Sequence, residues 1–306
     1  MNSASIDPRL ALALARSAHL FGAAPSVIRR LGGLTNANYL ISDGADQFVL
    51  RLPGAGTQDY INREVEAVAA RATAEIGVNA PLLLFDPADG LQVTRFVEGR
   101  TMSEAGFKDH GAIVRAAEAL RCVHSTASPF ANRFELFAMI DEYMALLNAK
   151  TARLPDGYAE ALAQAEAVRT VLRSAAIELA PCHCDPLAEN FVDTGSKMIL
   201  LDWEYSGNND PMWDLGDVAI EARFDPAQER ALLHAYFGGA PPAHLHGRMI
   251  LYKAMCNLLW TLWAVIQVVN GNTADDFWAY AVNRLAGCKA TMASAEFAWA
   301  LGVAGA

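Results

Sequence analysis

His183, Asp185 and Asn190 stand in the spacing HxDxxxxN, and Asp202 follows twelve residues beyond Asn190. Those residue types suit phosphoryl transfer to an alcohol. Such a reaction needs one carboxylate to orient the hydroxyl and accept its proton, and further oxygen ligands for the Mg2+ ions on ATP. Asp185 fits the first role. Asn190 and Asp202 fit the second, as catalytic-site metal ligands. A plainer alternative is an ordinary capping Asp beside a buried His. The Thr194-Gly195-Ser196-Lys197 turn favours the catalytic reading, because a hairpin there returns Asp202 to the loop that carries Asp185 and Asn190. A zinc site from Cys182, His183 and Cys184 is disfavoured, since adjacent residues of an extended segment point to alternate sides and no second ligand cluster follows.

These side chains must be positioned by the elements around them. Residues 7–22 read as a helix with Asp7 as N-cap and Pro8 in its first turn. Strand patterns follow at 26–31, 38–42 and 47–52, a helix at 60–76, and strands at 82–85 and 91–96. From about residue 103 the periodicity becomes helical, over 110–125, 134–149, 156–178, 226–237, 243–270 and 274–293. A strand pair at 191–193 and 198–202 interrupts it. The layout is α+β: a small sheet lobe over residues 1–97, then a large helical lobe over 98–306, with a cleft between them for a ligand.

Composition limits the partners. The 306 residues include 24 Lys plus Arg and 34 Asp plus Glu, a net charge of −10. That balance disfavours nucleic acid, which requires cations to replace phosphate counterions, and suits a small cationic substrate. Between Asp185 and Glu221 stand nine acids and one base, Lys197. Five cysteines without a CxxC pair support neither a disulfide framework nor a zinc ribbon. Met1 to Pro8 has no basic-then-apolar leader, which gives a cytoplasmic expectation. Residues 249–269 are apolar, but Lys253, Asn257 and Gln267 interrupt them, so a buried core helix is expected and not a membrane span.

The HxDxxxxN skeleton with its downstream Asp resembles the small-molecule kinases of protein-kinase-like fold, the aminoglycoside phosphotransferases and the choline or ethanolamine kinases. The resemblance extends from about residue 26 to about residue 290. It implies an antiparallel-sheet N-lobe that binds ATP and a helical C-lobe that holds the acceptor. In that frame the loop with Gly33, Thr35 and Asn36 is similar to the GGxTN loop of the choline kinase branch and would cover the phosphates. Arg51 stands where protein kinases carry the phosphate-binding Lys, and its expected partner is Glu66, with Glu64 as the alternative. Phe96 and Val97 resemble the inter-lobe hinge and would flank adenine. Asp214, in the segment from Asp210 to Asp217, would brace the catalytic loop.

The resemblance also bears on the acceptor. Trp260 and Trp263 lie three apart, on one face of a helix. Taken alone, such a pair reads as core. In the choline kinase branch a WxxW at this place binds a quaternary ammonium, with an aromatic on the next helix, matched by Tyr280, and an acid matched by Glu221. ATP-dependent phosphorylation of choline is therefore expected. Ethanolamine, another amino-alcohol or an aminoglycoside is the alternative acceptor, and a catalytically silent choline binder is the third reading. Leu187 departs from the polar Gln that many choline kinases carry near the substrate, and the oligomeric state stays open.

Overall fold

The computed structural model describes residues 7–33, 35–54, 56–57, 61–175 and 177–306. Residues 1–6 of the leader reading, Leu34 of the glycine loop and Tyr60, the expected start of the second helix, lie outside the described residues.

Helix α1 (Pro8–Ser17) begins as expected, with the Asp7 side chain accepting from the Arg9 N–H, but it gives way to a 3-10 turn at Ala18–Leu20. Five strands follow: β1 (Ser26–Arg30), β2 (Ala37–Ser42), β3 (Gln47–Leu52), β4 (Leu82–Asp86) and β5 (Leu91–Arg95). They form one antiparallel sheet in the order β1-β2-β3-β5-β4. Along β3, side chains alternate between the two faces. Phe48, Leu50 and Leu52 pack with Leu10 and Ala13 of α1. Arg51 therefore faces the other way, toward α2 (Arg63–Glu75), whose first turn is capped by the Asn62 side chain.

The chain then enters the helical lobe. A short strand β6 (Arg100–Thr101) precedes α3 (His110–Thr126), α4 (Leu136–Ala149) and α5 (Tyr158–Ser174). Strand β7 (Ala180–Cys182) leads into the loop bearing Asp185. Strands β8 (Phe191–Asp193) and β9 (Met198–Leu200) form the expected hairpin, with β6 added at its edge. Asp202 lies beyond the hairpin, in the left-handed region at φ 65°. Strand β10 (Gly207–Asn209) pairs with β7, and α6 (Pro211–Glu221), α7 (Pro226–Phe237), α8 (Ala243–Val269), α9 (Phe277–Met292) and α10 (Ala295–Val303) complete the lobe. Helix α8 is the axis, packed by α4, α5, α6, α9 and α10. It is the one described helix long and apolar enough to cross a membrane, and 94% of its most apolar window is buried inside the fold. The chain thus has the two-lobed, protein-kinase-like α+β architecture expected from its sequence.

Candidate active site

The loop between β7 and β8 is held from below by α6. Asp214 accepts from the backbone N–H groups of His183 at 2.7 Å and Cys184 at 2.8 Å. The indole of Trp213 donates to the Cys184 carbonyl at 3.0 Å. Asp214 is itself bound by His124 at 3.0 Å, and the Tyr236 hydroxyl pairs with the other ring nitrogen of His124 at 2.8 Å. His183 is fully buried. Its Nε2–H donates to the Leu201 carbonyl at 2.8 Å, and its Nδ1 accepts from the Asp185 N–H at 3.3 Å. Burial pushes the His183 pKa below its usual value, in keeping with that neutral tautomer. The Asn190 amide donates to the Asp185 carbonyl at 3.0 Å, and the Leu201 N–H donates to the Asn190 carbonyl at 2.8 Å. These bonds bring the Asp185 loop, Asn190 and the segment ending at Asp202 together, as the motif spacing predicts. Cys184 and Asp202 both hold positive φ without being glycine, a backbone cost typical of functional sites.

The sheet lobe meets this loop through a chain of charges. Arg51 forms an ion pair with Glu66 and donates to Asp202 at 2.8 Å. Glu66 is buried, whereas Glu64 is exposed on the far side of α2, which decides between the two candidate partners. Arg63 and Glu204, to which the sequence reading gives no role, complete the chain. Arg63 donates to Glu66 at 2.6 Å and to Glu204 at 3.1 Å. The Asn36 amide donates to Glu204 at 3.0 Å and its oxygen accepts from the Gly54 N–H at 3.2 Å. The glycine loop is thereby tied to the helical lobe. Its own shape requires glycine: a Cβ on Gly33 would come 2.5 Å from the Asn36 carbonyl oxygen, and one on Gly54 would come 2.1 Å from that of Thr35. Carboxylate oxygens of Glu66, Asp202 and Glu204 lie within 4.8 Å of one another. Burial, then the charge of Asp202, pushes Glu204 up to about 7. Burial also raises Asp202, against the pull of Arg51. Phe96 and Val97 follow β5, where the chain leaves the sheet; Val97 packs with Ala80, Val192 and Ile199, and both residues are half-buried.

The aromatic residues singled out in the sequence lie on α8 and α9. Trp263 stacks edge-on with Tyr280 at 6.0 Å and with Phe277 at 5.6 Å. Trp260 meets Tyr205 at 5.3 Å, and its indole N–H donates to the buried Asp217 at 3.2 Å. Glu221 is not the free acid that the sequence reading pictures: it is ion-paired with Arg284. Arg284 and Asp217 stand one helical turn from Tyr280 and Glu221 respectively, and the sequence reading gives neither a role. Burial, followed by the charges of Asp217, Glu221, Asp202 and Glu204, holds the Asp185 carboxyl well above the usual carboxylate range. Asp185 thus feels the charges of both groups of acids, Asp217 with Glu221 and Asp202 with Glu204.

Comparison with known proteins identifies the family. Residues 26–246 match the phosphotransferase enzyme family. Protein LicA of Haemophilus influenzae is 29% identical over 267 residues, which covers 83% of this chain and 76% of LicA. A choline/ethanolamine kinase family protein from Mesorhizobium loti has a solved structure with TM-score 0.86 and 47% identity, covering 97% of this chain and 98% of its own. The structure of choline kinase LicA from Streptococcus pneumoniae has TM-score 0.79 and 26% identity, covering 92% of this chain and 98% of its own. The chain belongs to the phosphotransferase enzyme family, within the choline/ethanolamine kinase group, and is a small-molecule kinase.

Proposed function

We propose that this kinase transfers the terminal phosphoryl group of ATP to the hydroxyl of choline. The observation that carries the reading is the contact of Trp263 with Tyr280, one helical turn from Trp260, whose indole donates to Asp217. A quaternary ammonium offers no hydrogen-bond donor and is held by ring faces. The surrounding acids supply the sign of charge that attracts it.

In this account the sheet lobe, residues 1–97, binds nucleotide, and residues 98–306 supply the catalytic loop and the acceptor pocket. Arg51 binds phosphate oxygens through one arm of its guanidinium while the other stays on Glu66. Thr35 and Asn36 cover the phosphates, and Phe96 and Val97 flank adenine. Asp185 orients the acceptor hydroxyl and takes its proton, a role favoured by a carboxyl whose proton affinity is already raised. Asn190 and Asp202 would present hard oxygen donors of the kind that suits Mg2+, and Glu66 and Glu204 carry carboxylate oxygens within 4.8 Å of that of Asp202. When bound, Mg2+ would neutralise charge on the phosphates.

The test is release of ADP from ATP and Mg2+ with choline, ethanolamine and an aminoglycoside as parallel acceptors. Choline should give the highest kcat/KM. A higher value for ethanolamine would transfer the assignment to that alternative. Nucleotide binding without ADP release, whatever the acceptor, would mark a silent binder.

A further inference from the structure

Arg284 is a cation already resident at the acceptor pocket. It lies on α9, one turn beyond Tyr280. Its Nη2 donates to the Glu221 carboxylate and, at 2.6 Å, to the Tyr280 hydroxyl oxygen. Its Nη1 reaches the Asn257 side-chain oxygen on α8 at 3.4 Å, and its Cζ lies 4.7 Å from the centre of the Tyr280 ring. The Arg284 and Glu221 side chains are only 11% and 7% exposed. One guanidinium therefore ties three helices, α6, α8 and α9, at the point where the acceptor's cation would enter.

The pairing has a chemical consequence. A primary ammonium leaving water must replace its hydrogen bonds, and a carboxylate is the best replacement. Glu221 is held through Oε1 by Arg284, so turning the carboxylate toward such a substrate weakens the hold on a buried guanidinium, which is costly, and the charge of Arg284 repels an incoming ammonium. A trimethylammonium makes no such demand. It needs ring faces and a diffuse negative field, and Trp263 and the neighbouring acids supply both. We propose that Arg284 is a specificity-determining positioning residue: by holding Glu221 and Tyr280 it withholds a hydrogen-bond acceptor from amine substrates and so favours acceptors that carry a quaternary nitrogen. The inference rests on the acceptor-pocket reading above and names the residue that tunes that pocket.

The experiment compares wild type, R284K, R284Q, E221Q and the E221Q/R284Q pair. Choline and ethanolamine kcat/KM, the KM for ATP and the melting temperature are measured for each. R284Q should lower the choline-to-ethanolamine ratio of kcat/KM by about tenfold, mainly through KM, and change the ATP KM by no more than about twofold. R284K should keep most of the ratio. Because Arg284 acts through Glu221, the double variant should shift the ratio no further than the larger single effect. A ratio unchanged in R284Q while the melting temperature falls would reduce Arg284 to a packing residue and overturn the proposal. Effects of the two single changes that simply add would overturn it as well. If R284Q does not fold, the double variant, which replaces the ion pair by two amides, is compared with R284K; an equal ratio in those two overturns the proposal. The wild-type row separates this from the choline assignment. If wild type prefers another acceptor, that assignment fails, and Arg284 is then judged on whether R284Q changes that acceptor's KM rather than the KM for ATP.

Discussion

Arg51 of the sheet lobe donates to Asp202 of the helical lobe at 2.8 Å. The nucleotide-side arginine and the candidate metal ligand thus hold each other across the cleft, while Glu66 holds the other arm of Arg51. Nucleotide phosphates would take over the contact with Asp202 and leave the one with Glu66 in place. Arg51→Ala should therefore raise the ATP KM by about tenfold or more and leave the acceptor KM within about twofold. Arg51→Lys should recover only part of the loss, because an ammonium lacks the fork that grips two partners. Steady-state kinetics with each substrate varied in turn checks this; equal damage to both KM values contradicts it.

Asp185→Asn keeps the shape of the side chain and removes the base. It should lower kcat by about 10²–10⁴-fold, the span of general-base contributions. Calorimetric binding of ATP should be nearly unchanged, since the role proposed for Asp185 is toward the acceptor hydroxyl. A variant within a few-fold of wild type would place the proton transfer elsewhere.

Asp202→Ala should abolish turnover at ordinary Mg2+ concentrations, and Asn190→Ala should raise the Mg2+ needed for half-maximal rate. A Mg2+ titration of each variant reads this directly. Normal Mg2+ dependence in Asp202→Ala would contradict the metal-ligand assignment.

Much of this site was legible because its parts obey short-range periodicities. Strand alternation puts Arg51 opposite Phe48, Leu50 and Leu52, whereas the choice of Glu66 over Glu64 as its partner came from the burial of Glu66 in the structure. The HxDxxxxN spacing and the hairpin return bring Asp185, Asn190 and Asp202 to one loop region. Arg63, Glu204 and Arg284 were not legible. In sequence, a charge on a helix or beside a motif looks the same whether it is solvated or buried against a partner more than a hundred residues away, as Arg63 is against Glu204. Helix α6 shows the same ambiguity: its span is absent from the helices read from periodicity, yet Asp214 and Asp217 face inward, onto the loop bearing Asp185 and onto Trp260. Short β6, β7 and β10 carry too few residues to show alternation at all.

Trp263→Leu keeps an apolar side chain and removes the ring face. The choline KM should rise about tenfold, equivalent to about 1.4 kcal/mol, with the ATP KM little changed. Trp263→Phe should restore much of the affinity. A choline KM that stays constant while thermal stability drops would mean that the indole serves only the core.

The pH dependence of stability has a definite sign. Glu204 is held at about 7, above its ordinary 4.5. A carboxyl with raised proton affinity in the fold adds stability that is complete below its unfolded value and is lost as pH rises through its folded one. Burial pushes Asp185 and Asp217 in the same direction. The melting temperature of the nucleotide-free protein should therefore fall between about pH 4.5 and about pH 7, the span between the unfolded and folded values of Glu204. Glu204→Gln should flatten that fall. A melting temperature that rises over this range, or an identical slope in the variant, contradicts the assignment.

The most direct test of the central claim is a competition. Choline and ethanolamine are supplied in equal amounts with limiting ATP and Mg2+, and the products are resolved by phosphorus NMR. The account predicts a phosphocholine signal that exceeds phosphoethanolamine and disappears in Asp185→Asn. A dominant phosphoethanolamine signal, or inorganic phosphate with neither phosphoester, would contradict it.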